Sequence, residues 1–175
     1  LSKTFDVGII GAGVSGCIAA YKLCFHPDTK VILFDIGRSF AKRRRQLEGA
    51  LGCFPNGDGK LYTGDLDKVN SLIDGRKTRH AQKWITELFS EAGPMRETRD
   101  NNPSATVLKR LTENNYNINL NNYIQWKPDP IHILSKIIAD KIESVNHVKL
   151  EFDNQVYKIY KKRDIFHIVT QTGEF

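Results

Sequence analysis

Residues 5–35 constrain this chain more than any other stretch. A short apolar run, Phe5-Asp6-Val7-Gly8-Ile9-Ile10, leads straight into Gly11-Ala12-Gly13-Val14-Ser15-Gly16. A second run, Lys30-Val31-Ile32-Leu33-Phe34-Asp35, closes the stretch. Short apolar runs bounded by glycine or charge read as buried strands. Between them, apolar residues at 14, 18, 21 and 25 have helical spacing, which predicts a helix over Val14–Phe25 that His26-Pro27-Asp28 stops. Strand, helix and strand in so few residues form a βαβ unit. Such a unit requires a parallel pair and a right-handed crossover.

The glycine spacing gives that unit its chemistry. G-x-G-x-x-G after a strand and before a helix, with an acid ending the next strand, is a dinucleotide-binding pattern. Gly11 lets the chain turn tightly, and Gly13 has no side chain to hold a pyrophosphate away from the backbone. Gly16 and Ala20 let the helix pack closely on the sheet. The helix amino-terminus then offers N–H groups and partial positive charge to phosphates. Asp35 is the candidate acceptor for ribose hydroxyls, and its charge disfavours a 2′-phosphate. From these residues alone FAD and NAD both remain open.

Beyond Asp35 come Ile36-Gly37-Arg38, the basic run Lys42-Arg43-Arg44-Arg45, then Gly49-Ala50-Leu51-Gly52 and Asn56-Gly57-Asp58-Gly59-Lys60-Leu61, all within an irregular stretch over 36–64. Helices are predicted over Asp65–Leu72, Thr78–Ala92 and Ser104–Leu111. The asparagine-dense 114–122 reads as a polar loop, and Tyr123–Trp126 as a strand. A helix over Pro130–Val145 is expected, capped by Asp129. A strand over Val148–Phe152 follows. Val156–Tyr160 and Ile165–Thr170 then form a hairpin around 161–164, with a turn over Gln171–Glu174.

Residues 5–38 and the glycine-rich 49–61 resemble FAD-dependent dehydrogenases whose nucleotide motif is followed by a D-G-K-L type stretch. More widely they resemble the glutathione-reductase-like two-dinucleotide-binding-domain flavoproteins. The likeness is carried by motif at 5–38, by glycine pattern at 49–61 and by element order beyond. It implies an α/β fold: a Rossmann-like parallel sheet with an inserted helical segment (62–128) and a small antiparallel meander, one FAD/NAD(P)-binding domain over 1–175. It implies FAD as cofactor, held by Gly11, Ala12, Gly13, Val14, Ser15, Gly16 and Asp35, with Ile36 beside it. Arg38 or Arg43 would meet the pyrophosphate, and Gly59 and Lys60 would lie along the flavin. The parent is then a flavin-dependent oxidoreductase acting on a small molecule. The rival readings are an NAD-binding dehydrogenase domain and a non-catalytic module that retains the fold.

The remaining features bound the answer. The chain has 175 residues and a net charge of +6, a balance that suits a pyrophosphate as well as a polyanion. The basic run carries no nucleic-acid signature, so nucleic acid is not the expected partner. No apolar run approaches the ~20 residues of a membrane span. Cys17, Cys24 and Cys53 fit no zinc spacing and read as reduced thiols of a cytoplasmic protein. His26, His80, His132, His147 and His167 form no metal-ligand spacing either. The chain starts at Leu1 and stops where the meander's last turn is due. The reading is therefore of an amino-terminal piece with an incomplete isoalloxazine pocket, no catalytic residues of its own, and a sheet edge prone to self-association.

Overall fold

The structure, a computed structural model, describes residues 4–42, 49–56, 60–62, 72–93, 97–99, 104–114, 123–125 and 128–175. In chain order its elements are β1 (Val7–Ile10), α1 (Val14–Leu23), β2 (Val31–Phe34), a 3-10 turn (Phe54–Asn56), β3 (Lys60–Tyr62), α2 (Gly75–Glu91), β4 (Glu97–Arg99), α3 (Ala105–Glu113), β5 (Tyr123–Gln125), α4 (Pro128–Glu143), β6 (Val148–Glu151), β7 (Val156–Lys162), β8 (Ile165–Thr170) and β9 (Gly173–Glu174). The chain divides into two compact units. One comprises Leu1–Asn56 with Ser135–Phe175, the other Gly57–Leu134.

The first unit is built on a parallel sheet in the order β1-β2-β6. Val7 pairs with Val31, and Val31 with Val148. All four residues of β2 are buried, as a run apolar on both faces requires; Ile32 and Phe34 pack with Ile168, Val156 and Phe175 on one of them. α1 buries Cys17, Ala20 and Tyr21, with Cys24 behind them, so its inward stripe differs from the expected 14, 18, 21, 25. The reason is the close approach at Gly16, which brings small side chains against the sheet and leaves Phe25, past the helix end, 54% exposed. Phe25 instead meets Tyr21 edge-on and lies under the Lys141 ammonium.

The antiparallel part of this unit runs β7-β8-β9. Lys161 and Lys162 pair with Phe166 and Ile165, so β7 is two residues longer than expected. Only Arg163 and Asp164 make the turn, both at positive φ (49° and 63°), the backbone of a primed two-residue hairpin. The expected turn over 171–174 is also corrected. Gly173 and Glu174 form β9, and Phe175 exchanges two 2.9 Å backbone hydrogen bonds with Ile168. The Thr170 hydroxyl makes this tighter turn by accepting from Thr172 N–H and donating to the Gly173 carbonyl. Ile168 joins Ile32 and Phe34 in a buried cluster with Phe5, Val156 and Phe175 against it.

The second unit has α2, α3 and an antiparallel sheet in the order β3-β5-β4. The segment expected to be helical is therefore mixed, with β3 inside the stretch read as irregular. α2 starts three residues early because Asp74 caps it, accepting from Arg76 N–H at 2.8 Å. Ser104 caps α3 in the same way. α4 starts at Pro128, not Pro130, so Asp129 lies inside the first turn and is not the cap. Either proline fits there, because the first four N–H groups of a helix have no intrahelical acceptor. Residues 65–71 and most of 114–122 lie outside the described residues, and Leu72 is in a turn, not a helix.

Candidate functional site

At the end of β1 the chain reverses through Gly11, at φ +95°, whose N–H donates to the Phe34 carbonyl at 2.8 Å. Ala12 is fully buried; its N–H donates to Asp35 Oδ2 at 2.6 Å. Gly13 then caps α1. Among the described residues no side chain caps that helix, and its first turn holds no acid, so its amino-terminal dipole and N–H groups are open to an anionic ligand. Cys17 N–H is the first to return, to the Gly13 carbonyl at 2.9 Å.

The glycines differ in what they would tolerate. A Cβ on Gly16 would overlap the Gly11 carbonyl oxygen and sit 3.0 Å from its carbon and 3.4 Å from Ile9 Cγ2. Gly16 is thus required by the fold. A Cβ on Gly13 would meet nothing within 4 Å among the described residues, and Gly13 has an ordinary φ of −62°. The protein itself does not need glycine at Gly13, whereas a ligand approaching the backbone there would.

Asp35 is held on both oxygens. Oδ2 accepts from Ala12 N–H and Oδ1 from Gly37 N–H at 2.7 Å. A carboxylate has about four lone-pair positions, so two remain for hydroxyl donors. The backbone around it is tied to β6: Asp35 N–H donates to Glu151, Asn154 N–H to the Asp35 carbonyl, and Asp153 N–H to the Gly37 carbonyl at 2.9 Å. Residues 49–52 fold back over the turn, where Leu51, at φ +65°, donates its N–H to the Ala12 carbonyl at 2.6 Å. Ala50 N–H donates to the Arg38 carbonyl, and a Cβ on Gly49 would run into that same carbonyl. A cleft of about 440 Å³ results, lined by Gly13, Asp35, Ile36, Arg38, Gly49 and Asp153 among others.

The structure thus brings Gly11, Ala12, Gly13, Val14, Ser15, Gly16, Asp35, Ile36 and Arg38 to one corner of the first unit. Arg43 and Gly59 lie outside the described residues, as do Arg44 and Arg45 of the basic run. Lys60 opens β3 in the second unit. Sequence reasoning missed Asp153 and the folding-back of 49–52. Asp153 had a usable signal: it follows a third parallel strand, and ligands of open α/β sheets bind outside the carboxyl ends of strands.

Elsewhere, Cys17 and Cys24 are buried and Cys53 is exposed, none of them in a disulfide. Burial pushes the Cys24 thiol up, with Lys141 opposing the shift. On the meander, Glu174 accepts from the Tyr160 hydroxyl at 2.6 Å and lies 2.7 Å from His167 Nδ1; the two rings stack at 4.8 Å. The hydrogen bond from Tyr160, then that from His167, holds the Glu174 carboxyl below its ordinary value, and the Glu174 bond pushes the Tyr160 hydroxyl up. Among the described residues no group of three His, Cys, Asp or Glu side chains could hold a metal ion, and no helix is long and apolar enough to cross a membrane.

No family model and no curated protein sequence matches the chain. Solved structures do. A variant of NikD, an unusual amino acid oxidase essential for nikkomycin biosynthesis, aligns with TM-score 0.56 and 10% identity over 99% of this chain and 49% of its own. Glycine oxidase from Geobacillus kaustophilus aligns with TM-score 0.53 and 15% identity over 98% and 52%. A mutant of P. aeruginosa PqsL, a protein described as a probable FAD-dependent monooxygenase, aligns with TM-score 0.50 and 15% identity over 97% and 39%. Identities this low establish a shared fold, a mixed α/β arrangement on a parallel sheet. The chain spans between 39% and 52% of the length of these three structures.

Proposed function

We propose that this chain is the FAD-binding amino-terminal part of a flavin-dependent oxidoreductase acting on a small molecule, with residues 62–128 inserted into one dinucleotide-binding domain over 1–175. The observation that carries the reading is Gly13: a glycine whose added Cβ would meet no described residue, at a helix amino-terminus without a side-chain cap, beside an acid oriented by two backbone N–H groups. That arrangement fits the ADP half of a dinucleotide. Gly13 leaves room for the pyrophosphate, and the first turn of α1 stabilises its charge. Asp35 accepts from the ribose hydroxyls. Arg38, exposed on the cleft, adds positive charge near the phosphates.

The shared fold with proteins named as amino acid oxidases supports flavin over nicotinamide. When bound, the flavin supplies the hydride chemistry. The chain's own described residues bind and orient its nucleotide end. A second reading, an NAD-binding domain, is favoured by Asp35, since aspartate at the ribose position suits NAD. The deciding experiment is the absorption spectrum of the supernatant after heat denaturation of the full-length protein. Released yellow chromophore with flavin bands supports FAD. A colourless supernatant from protein that retains an ultraviolet-absorbing dinucleotide supports NAD and overturns the flavin reading.

A further inference from the structure

The cleft holds two carboxylates in different situations. Asp35 has both oxygens hydrogen-bonded to backbone. Asp153 is exposed on the cleft, and among the described residues its carboxylate has no hydrogen bond or ion pair. Its place is nonetheless fixed. Its N–H is tied to the Gly37 carbonyl, and its neighbour Asn154, 1% exposed, is tied to the Asp35 carbonyl and to Thr172. The contacts therefore run in order along the cleft: the glycine turn at Ala12, then Asp35, then Gly37, then Asp153. Asp153 also sits at φ +53°, a left-handed state that aspartate and asparagine tolerate better than other side chains. Between the acids, Ile36 is 66% exposed and supplies an apolar surface at the cleft.

A nucleoside diphosphate laid along this order has its phosphates at the turn and its ribose at Asp35. Its base then lies by Ile36 and Asp153. From this geometry we infer that Asp153 is a specificity-determining residue that accepts a hydrogen bond from the exocyclic amine of the base, so that the site selects an aminopurine such as adenine. The base lies flat against Ile36 and turns its amine edge to the carboxylate. A purine without that donor displaces water from the carboxylate and offers no hydrogen bond in return, which is costly. This inference rests on the nucleotide-site reading proposed above.

The test is isothermal titration of the 175-residue chain with ADP and with its 6-desamino analogue, purine riboside 5′-diphosphate. Wild type is compared with Asp153→Gly and Asp153→Asn, both of which tolerate the left-handed backbone. Thermal unfolding checks that each variant is folded. Wild type is expected to prefer ADP by about ten-fold or more, the range of a hydrogen bond to a charged group. Asp153→Gly should bind both ligands within two-fold of each other, chiefly by weakening ADP, and Asp153→Asn should retain part of the preference through its amide oxygen. Equal binding of the two ligands by wild type, or undiminished preference in Asp153→Gly, overturns the inference and leaves the nucleotide site standing. Binding of neither ligand by folded wild type overturns the nucleotide-site reading itself and this inference with it.

Discussion

Replacing Gly13 by valine, with Gly16→Ala as its counterpart, separates a residue kept for a ligand from one kept for the fold. At Gly13 the backbone is in an ordinary region (φ −62°, ψ −176°) and an added Cβ meets nothing within 4 Å. The structural cost is then the loss of glycine as helix cap, about 1 kcal/mol. In a chain of this size that lowers Tm by about 2–4 °C. The branched side chain nevertheless stands where phosphates approach the first turn of α1. Affinity for ADP or FAD should fall at least about ten-fold, or about 1.4 kcal/mol. At Gly16 the order reverses. The new Cβ overlaps the Gly11 carbonyl, so α1 must move off β1. Overpacking of this kind costs about 1–3 kcal/mol. Circular dichroism melts read the first effect, and isothermal titration of the folded variants reads the second. A folded Gly13→Val chain with unchanged affinity would refute the reasoning and remove the phosphate site from Gly11–Gly16.

Three other outcomes follow from the geometry. Asp35→Ala should weaken nucleotide binding by about 1.5–3 kcal/mol, as for a lost charged acceptor. Asp35→Asn should weaken it too, because an amide presents one NH₂ to a cradle of two N–H donors; full-strength binding by either variant would remove the ribose assignment. A thiol reagent under native conditions should label Cys53 rapidly and reach Cys17 and Cys24 only on unfolding, as mass spectrometry of the labelled peptides can check. The Glu174 carboxyl is lowered on folding, so its contribution is present above the ordinary carboxylate range, about pH 4.3, and is lost as pH falls through its folded value. Amide protection at Ile168 and Phe175, corrected for intrinsic exchange, should therefore drop below that range, and Glu174→Gln should abolish the acid-side dependence. An unchanged acid limb in that variant would refute the link.

The sequence by itself determined the βαβ corner, because every signal there is local. Two apolar runs, a glycine spacing and a terminal acid lie within about thirty residues and admit one economical arrangement. Much the same holds for α4: of the apolar positions 131, 134, 137, 138, 142 and 145 whose spacing predicts it, 131, 134, 138 and 142 are buried and 137 and 145 half-buried; it holds too for the core of the β7–β8 hairpin. Element ends were less legible. Asp74 and Ser104 each moved a helix start by bonding a backbone N–H that hydrophobic period does not register. Only tertiary structure decided the rest. α1 turns Cys17, Ala20 and Cys24 inward because the contact at Gly16 sets how close the helix lies. Leu51 reaches the glycine turn by donating its N–H to the Ala12 carbonyl, across nearly forty positions of sequence. Asp153 faces the cleft because β6 pairs with β2 and ends beside Gly37, more than a hundred residues away in the chain. Contacts of that separation depend on which strands become neighbours. Local composition carries almost no trace of that choice, because it is made by pairing β2 on both edges and covering both its faces, and not by any residue in the loops that meet.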